Sequence, residues 1–197
     1  MKNKIVVIVL IVVIVVAAIL IGYRFLPKNN QAGGNNQPTD GQSQNKLVTD
    51  YFEIVLPTGW QQAAPPVGAS AMAVDNNEEI IDAAAQKINF KTYVAVSYDT
   101  LQGKSLNEYM QNIKSQLQQA IPGVVFSQEH ATTINNRDGL GIEADLTQQG
   151  VSFKLLMVAI KGDGDDVWIM SFNTLQSSWM AYQETFSGIA NSFKLKK

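Results

Sequence analysis

Cysteine is absent from the 197-residue chain. That excludes a disulfide framework, thiolate metal sites, a cysteine nucleophile and a lipid-modified cysteine. Histidine occurs once, as His130. One imidazole cannot supply the usual histidine set of a metal site, and any nucleophile that needs a histidine base has only this one. His130 falls at a polar-facing position of an alternating strand, beside Gln128 and Thr132, and reads as an ordinary strand residue. Arginine occurs twice, as Arg24 and Arg137. With no guanidinium cluster to neutralise phosphates, nucleic acid is not expected as a partner.

Acidic residues are scarce at the start and abundant afterwards. Through Lys46 five Lys/Arg stand against Asp40 alone, whereas from Leu47 onward ten basic residues face sixteen acidic ones. The first part also holds the one long hydrophobic run. Ile5 to Tyr23 is uncharged, and its ~19 residues make roughly 28 Å of helix, close to the thickness of a bilayer's hydrocarbon core. Lys2 and Lys4 precede it, and Tyr23, Arg24 and Phe25 form an interfacial end. A signal peptide cut after Ala18 is the competing reading, but the apolar run continues through "ILIG", beyond the length of an ordinary h-region. The expectation is an uncleaved signal-anchor over residues 1–26, a single-pass transmembrane helix in the cell membrane with the rest of the chain extracytoplasmic. Residues 27–46, rich in Asn, Gln, Gly and Pro, have too little apolar surface to offset ordering entropy. They read as a flexible linker of about 25 Å r.m.s. span. One domain is expected over 47–197.

Within that domain, "YFEIVLPTGW" alternates and then turns at Pro57-Thr58-Gly59, and "ASAMAV" is a short strand. "DNNEEIIDAAAQK" reads as a helix capped by Asp75, with Glu78 supporting its first turn. "INFKTYVAVSY" places Ile88, Phe90, Val94, Val96 and Tyr98 on one face of a strand. "SLNEYMQNIKSQLQQAIPG" is the clearest helix: Ser105 and Glu108 form a capping box, Leu106, Tyr109, Met110, Ile113, Leu117 and Ile121 make one stripe, and Pro122-Gly123 ends it. The period then becomes two, through "GVVFSQEHATTI", the turn "NNRDG", "LGIEADLT", and the hairpin of "VSFKLLMVAI" with "DVWIMSFNT". An antiparallel sheet of four to six strands with at least two long amphipathic helices is an α+β layered domain.

Few residues are candidates for chemistry. Asp163, Asp165 and Asp166 fall in the short loop "KGDGDDV", and aspartates at alternate positions resemble the start of a calcium loop. Thr174 stands where that loop's final glutamate belongs, so the stretch reads first as a hairpin turn and only weakly as a metal site. Gly139 and Gly141 lie between strands rather than before a helix, which removes the phosphate-cradle reading. Glu143 and Asp145 share one strand face and read as solvated carboxylates rather than a glycosidase pair. Trp179, Tyr182, Phe186, Ile189 and Phe193 recur at helical spacing and read as the buried face of a last helix capped by Ser177 or Ser178.

Taken in order, these elements resemble the PsbP-like family, which includes the extrinsic PsbP protein of photosystem II, bacterial relatives and a eukaryotic Ran-binding relative of the same fold. The resemblance rests on Phe52, Ile54, Leu56, Pro57, Gly59 and Trp60 at the start, and on Trp179, Tyr182, Phe186, Ile189, Ser192 and Phe193 at the end. It implies an α-β-α sandwich with a central antiparallel sheet flanked by amphipathic helices, and a binding or assembly role without catalytic activity. A protein partner is expected and no cofactor. The alternative is a small-ligand receptor or carrier, with a pocket between sheet and helix lined by residues such as Trp60 and Trp168.

Overall fold

The computed structural model describes residues 44–196. The signal-anchor expected over 1–26 and nearly all of the linker expected over 27–46 lie outside the described residues. Among the described residues, no helix is long and apolar enough to cross a membrane.

The chain runs β1 (Lys46–Val48), β2 (Phe52–Val55), β3 (Trp60–Ala63), β4 (Ala71–Asp75), α1 (Ala83–Lys87), β5 (Tyr93–Thr100), α2 (Leu106–Ala120), β6 (Val125–Ile134), β7 (Arg137–Gln148), β8 (Val151–Lys161), β9 (Asp166–Leu175), α3 (Trp179–Asn191) and β10 (Lys194–Leu195), with one 3-10 turn, Gln176–Ser178, before α3. Seven strands form an antiparallel sheet in the order β3-β4-β5-β9-β8-β7-β6, more than the four to six expected. β1, β2 and β10 make a separate three-stranded sheet.

The large sheet divides two cores. Alternation on its strands sends Leu140, Ile142, Ala144, Leu155, Met157 and Ile169 to one side, under α1 and α2. It sends Val94, Val96, Leu156, Val158, Met170 and Phe172 to the other, under α3 and the small sheet. β8 and β9 are therefore apolar on both faces, which is why "VSFKLLMVAI" and "DVWIMSFNT" read as almost unbroken hydrophobic runs. The sandwich is α-β-α as expected, with the third layer shared between a helix and a small sheet. Ser192 joins the two parts of that layer: its Oγ accepts from Val55 N at 2.9 Å and donates to Ile189 O at 2.7 Å.

α2 forms as its sequence predicts. Ser105 Oγ accepts from Glu108 N at 3.3 Å, and a Glu108 carboxylate oxygen accepts from Ser105 N at 2.9 Å, closing the capping box. Asn135 and Asn136, both at positive φ, make the β6–β7 turn, so Arg137 onward belongs to β7 rather than to the turn. Three expectations change. The helix expected from Asp75 is only the five residues of α1, capped by Asp82 through bonds to Ala84 N and Ala85 N. Asp75 ends β4 instead, and the intervening Glu78 bonds Thr92 N. Likewise β5 begins at Tyr93, and Ile88 and Phe90 pack on the α1 side while Val94 and Val96 face α3. Finally, Ser178 makes no side-chain cap bond to α3; the 3-10 turn occupies that place.

Candidate functional site

One cross-section of the large sheet is polar where the rest is apolar. On the face beneath α3, register sets Trp60 opposite Asp75, Thr174 opposite Lys154, Lys154 opposite Asp145 and Asp145 opposite Val125. Asp75 N bonds Thr92 O, and the Thr92 and Thr174 hydroxyls meet at 2.8 Å with both residues fully buried. A row of Asp75, Thr92, Thr174, Lys154 and Asp145 thus crosses the end of the sheet at the first turns of α3.

Lys154 is the centre of charge in this row. Its Nζ lies 3.1 Å from Glu143 Oε2, 3.1 Å from Asp145 Oδ2 and 2.8 Å from Ser127 Oγ, and 5.5 Å from the centre of the Trp179 ring. Lys154 is 7% exposed and Glu143 5%. Gln176 Nε2 donates to the other Asp145 oxygen at 3.1 Å. The expectation of solvated carboxylates is thereby corrected: Glu143 is buried and ion-paired, because α3 and the 3-10 turn close over this end of β7 and β8. Ser127 beside Lys154 has the look of a serine–lysine nucleophile pair. The amine, however, donates to Ser127 and Asp145 and is ion-paired with Glu143, so two carboxylates hold it where a base for Ser127 would have to be free.

At the other end of the row, Tyr182 donates to Asp75 Oδ2 at 2.7 Å. Burial first, and then this bond, push the Tyr182 hydroxyl up from its ordinary value. Glu78 Oε2 accepts from Thr92 N at 2.8 Å, while its Oε1 is buried with no partner among the described residues. Burial raises the Glu78 carboxyl above its ordinary value, the Thr92 bonds oppose this, and Asp75 adds to it. A shallow opening of about 260 Å³ adjoins the Asp145 end, between Gly123, Val125, Thr147 and Gln176.

The residues singled out in the sequence lie apart. Asp163 pairs with Arg137 at 2.8 Å, Asp165 accepts from Gln102 N at 2.9 Å and Gly103 N at 3.0 Å, and Asp166 accepts from Tyr98 at 2.7 Å. Each carboxylate is committed to a different neighbour, and no cluster able to hold a metal ion occurs among the described residues. His130 is exposed on β6 and lies flat over Gly141, where a Cβ would stand 2.6 Å from its ring. Trp60 packs against Tyr182 and Phe186, and Trp168 against Phe52, Tyr98 and Phe193. Both are buried, but they sit at opposite ends of the sheet, about 20 Å apart along the strands. Phe186 and Ile189 of the final helix are buried, as is Phe193, which lies beyond its end at Asn191, while Trp179 and Tyr182 are half-buried because they border the polar row. Sequence reasoning missed Lys154. The signal was a lysine inside an apolar strand of eleven residues, opposite Asp145 and diagonal to Glu143 on the preceding strand.

No protein-family model matches the chain, and no characterised protein matches it by sequence. Solved structures do match. The solution structure of cyanobacterial PsbP (CyanoP) from Synechocystis superposes with TM-score 0.58 at 14% identity, over 82% of this chain and 98% of that one. LpqN, involved in cell envelope biogenesis of Mycobacterium tuberculosis, superposes with TM-score 0.56 at 12% identity, over 80% and 88%. The Saccharomyces cerevisiae Ran-binding protein Mog1p does so with TM-score 0.53 at 15% identity, over 78% and 96%. The chain shares the PsbP-like fold with these proteins.

Proposed function

We propose that this protein is a binding or assembly module without catalytic activity, held at the extracytoplasmic face of a membrane by residues 5–23 and recognising a protein partner. The observation that carries the non-catalytic reading is the pairing of Lys154 with two carboxylates. Among the described residues, the arrangement that resembles a nucleophile with its base is closed by Glu143 and Asp145 at 3.1 Å. The single histidine stands on an exposed strand, with no side chain of the described residues hydrogen-bonded to it. The shared fold is consistent: of the similar structures, one is a Ran-binding protein and one is involved in envelope biogenesis. The membrane placement rests on the uncharged run and its flanking lysines.

The test is site-directed photo-crosslinking from the full chain in intact cells, followed by membrane fractionation. The expected result is a discrete crosslinked protein in the membrane fraction, formed equally by the wild type and a Ser127→Ala variant. Recovery of the chain in the soluble fraction refutes the anchoring. A small molecule that raises the melting temperature, with no crosslinked protein, favours instead a ligand carrier using the opening beside Asp145.

A further inference from the structure

Three aspartates of the chain are followed by glycine: Asp40, Asp138 and Asp163. Such a pair has a chemistry of its own. The glycine nitrogen can attack the side-chain carboxyl carbon of the aspartate, because glycine puts no side chain in the way of the five-membered ring that forms. In a folded protein the backbone around the pair decides whether the ring closes. Asp40–Gly41 lies outside the described residues, and the other two pairs stand in opposite settings.

Asp138–Gly139 is on β7. Gly139 is buried, and it is paired with Thr132 on one side and Ile160 on the other, so its N–H belongs to the ladder. A Cβ there would stand 2.8 Å from the Thr132 methyl and 3.3 Å from Ala159 O, so the surrounding space is filled. Closing the ring requires the aspartate Cα–C bond to rotate out of its extended setting, which a strand paired on both sides resists.

Asp163–Gly164 is at the tip of the β8–β9 hairpin. Both residues are exposed, the Asp163 side chain at 85%. The turn is fastened around the pair: Asp166 N donates to Asp163 O at 3.1 Å and Gly162 N to Asp166 O at 2.8 Å, while Gly164 N has no acceptor among the described residues. Gly164 has φ +62°, and nothing lies within 4 Å of where its Cβ would be. The attacking nitrogen is therefore unengaged and its surroundings are open. Arg137 holds one oxygen, Asp163 Oδ1, at 2.8 Å, a surface ion pair that is weak enough to open often.

We propose that Asp163 is a self-modification site, which converts to isoaspartate in the folded protein. Gly164 N attacks Asp163 Cγ, and the new N–C bond forms as one carboxyl oxygen leaves as water, taking the amide proton and the proton of the carboxyl group. Water then opens the cyclic imide at either carbonyl. Opening at Cγ restores aspartate. Opening at the main-chain carbonyl leaves isoaspartate, with the chain running through Cβ and Cγ and the carboxylate on Cα. The composition is unchanged, and no oxidant, reductant or cofactor is consumed. The added backbone atom falls in the turn that presents Asp165 to Leu101 N, Gln102 N and Gly103 N, the contacts that fasten the loop before α2 to the hairpin.

Asp138 supplies the internal control. The full chain in detergent is kept warm at neutral pH in H2 18O, and a second sample is kept in the same solvent with urea. Each cycle of ring closure and opening carries one solvent oxygen into the aspartate. Peptide mass spectrometry with electron-transfer fragmentation locates that oxygen and tells isoaspartate from aspartate. In the folded chain the label at Asp163 is expected to exceed that at Asp138 at least about tenfold, with isoaspartate at 163, because the paired strand protects the other pair. In urea the two sites are expected to label within about twofold of each other. Gly164→Ala is expected to slow labelling at Asp163 at least about fivefold, since it puts a side chain on the attacking residue. An unlabelled Asp163, label without isoaspartate, equal labelling of Asp163 and Asp138 in the folded chain, or undiminished labelling in a folded Gly164→Ala variant overturns the proposal. Where that variant does not fold, the comparison of folded and urea-treated wild type decides.

Discussion

Replacing Lys154 by methionine tests whether the polar row is a buried electrostatic unit. The substitution keeps the length of the side chain and removes its charge, leaving Glu143, 5% exposed, without its only charged partner among the described residues. Asp145 keeps Gln176 at 3.1 Å and partial contact with solvent. Most of the cost therefore comes from one stranded carboxylate. Breaking a buried pair from one side costs about 3–5 kcal/mol. For a domain of this size each kcal/mol moves Tm by about 2–4 °C, so the expected fall is roughly 6–20 °C. Urea unfolding of the full chain, followed by tryptophan fluorescence, measures the difference directly. The double variant Glu143→Leu/Lys154→Met removes both buried charges and is expected to recover most of the loss. A single variant within about 1 kcal/mol of the wild type refutes the reasoning, because it means water already solvates Glu143. A double variant no better than the single one refutes it too, because the loss is then one of packing.

Three further outcomes are expected. Glu78 is raised above its ordinary value of 4.5 by burial, so the folded state binds its proton more tightly than the unfolded chain. Its contribution is full below pH 4.5 and is lost as pH rises through the folded value, so stability falls across that interval; Glu78→Gln should flatten the fall in urea titrations from pH 4 to neutrality. Asp165→Ala removes acceptors from two backbone N–H groups, at 2.9 Å and 3.0 Å, and should cost about 1–2 kcal/mol of stability. Adding calcium should leave the Tm of the wild type unchanged, because the three aspartates serve separate partners.

Much of the fold was legible because its elements are governed by local rules. The capping box at Ser105 and the stripe of α2 depend on residues three and four apart, which a single chain displays directly. The hairpins depend on turn residues between alternating runs. The polar row was not legible, because it is assembled by register across strands distant in sequence: Thr92 meets Thr174, and Lys154 meets Asp145. Glu143 and Asp145 alternate as solvated residues do, and nothing within β7 reveals that α3 closes over them. Asp75 and Glu78 look like the first turn of a helix. Their use as acceptors for Tyr182 and Thr92 comes from an element more than a hundred residues later and from the start of the next strand.

The partition of the interior by the seven-stranded sheet bears on how such a chain can change over time. The two cores share a wall of backbone and hardly any side-chain contacts, since successive residues of each strand point to opposite layers. A replacement beneath α2 is compensated by neighbours beneath α2, and the layer beneath α3 is not called on to adjust. Each layer is free to drift as its own small packing problem, provided the strands remain paired. A fold built this way can keep its shape while nearly all of its residues differ, which accords with superposition on CyanoP over 98% of that chain at 14% identity.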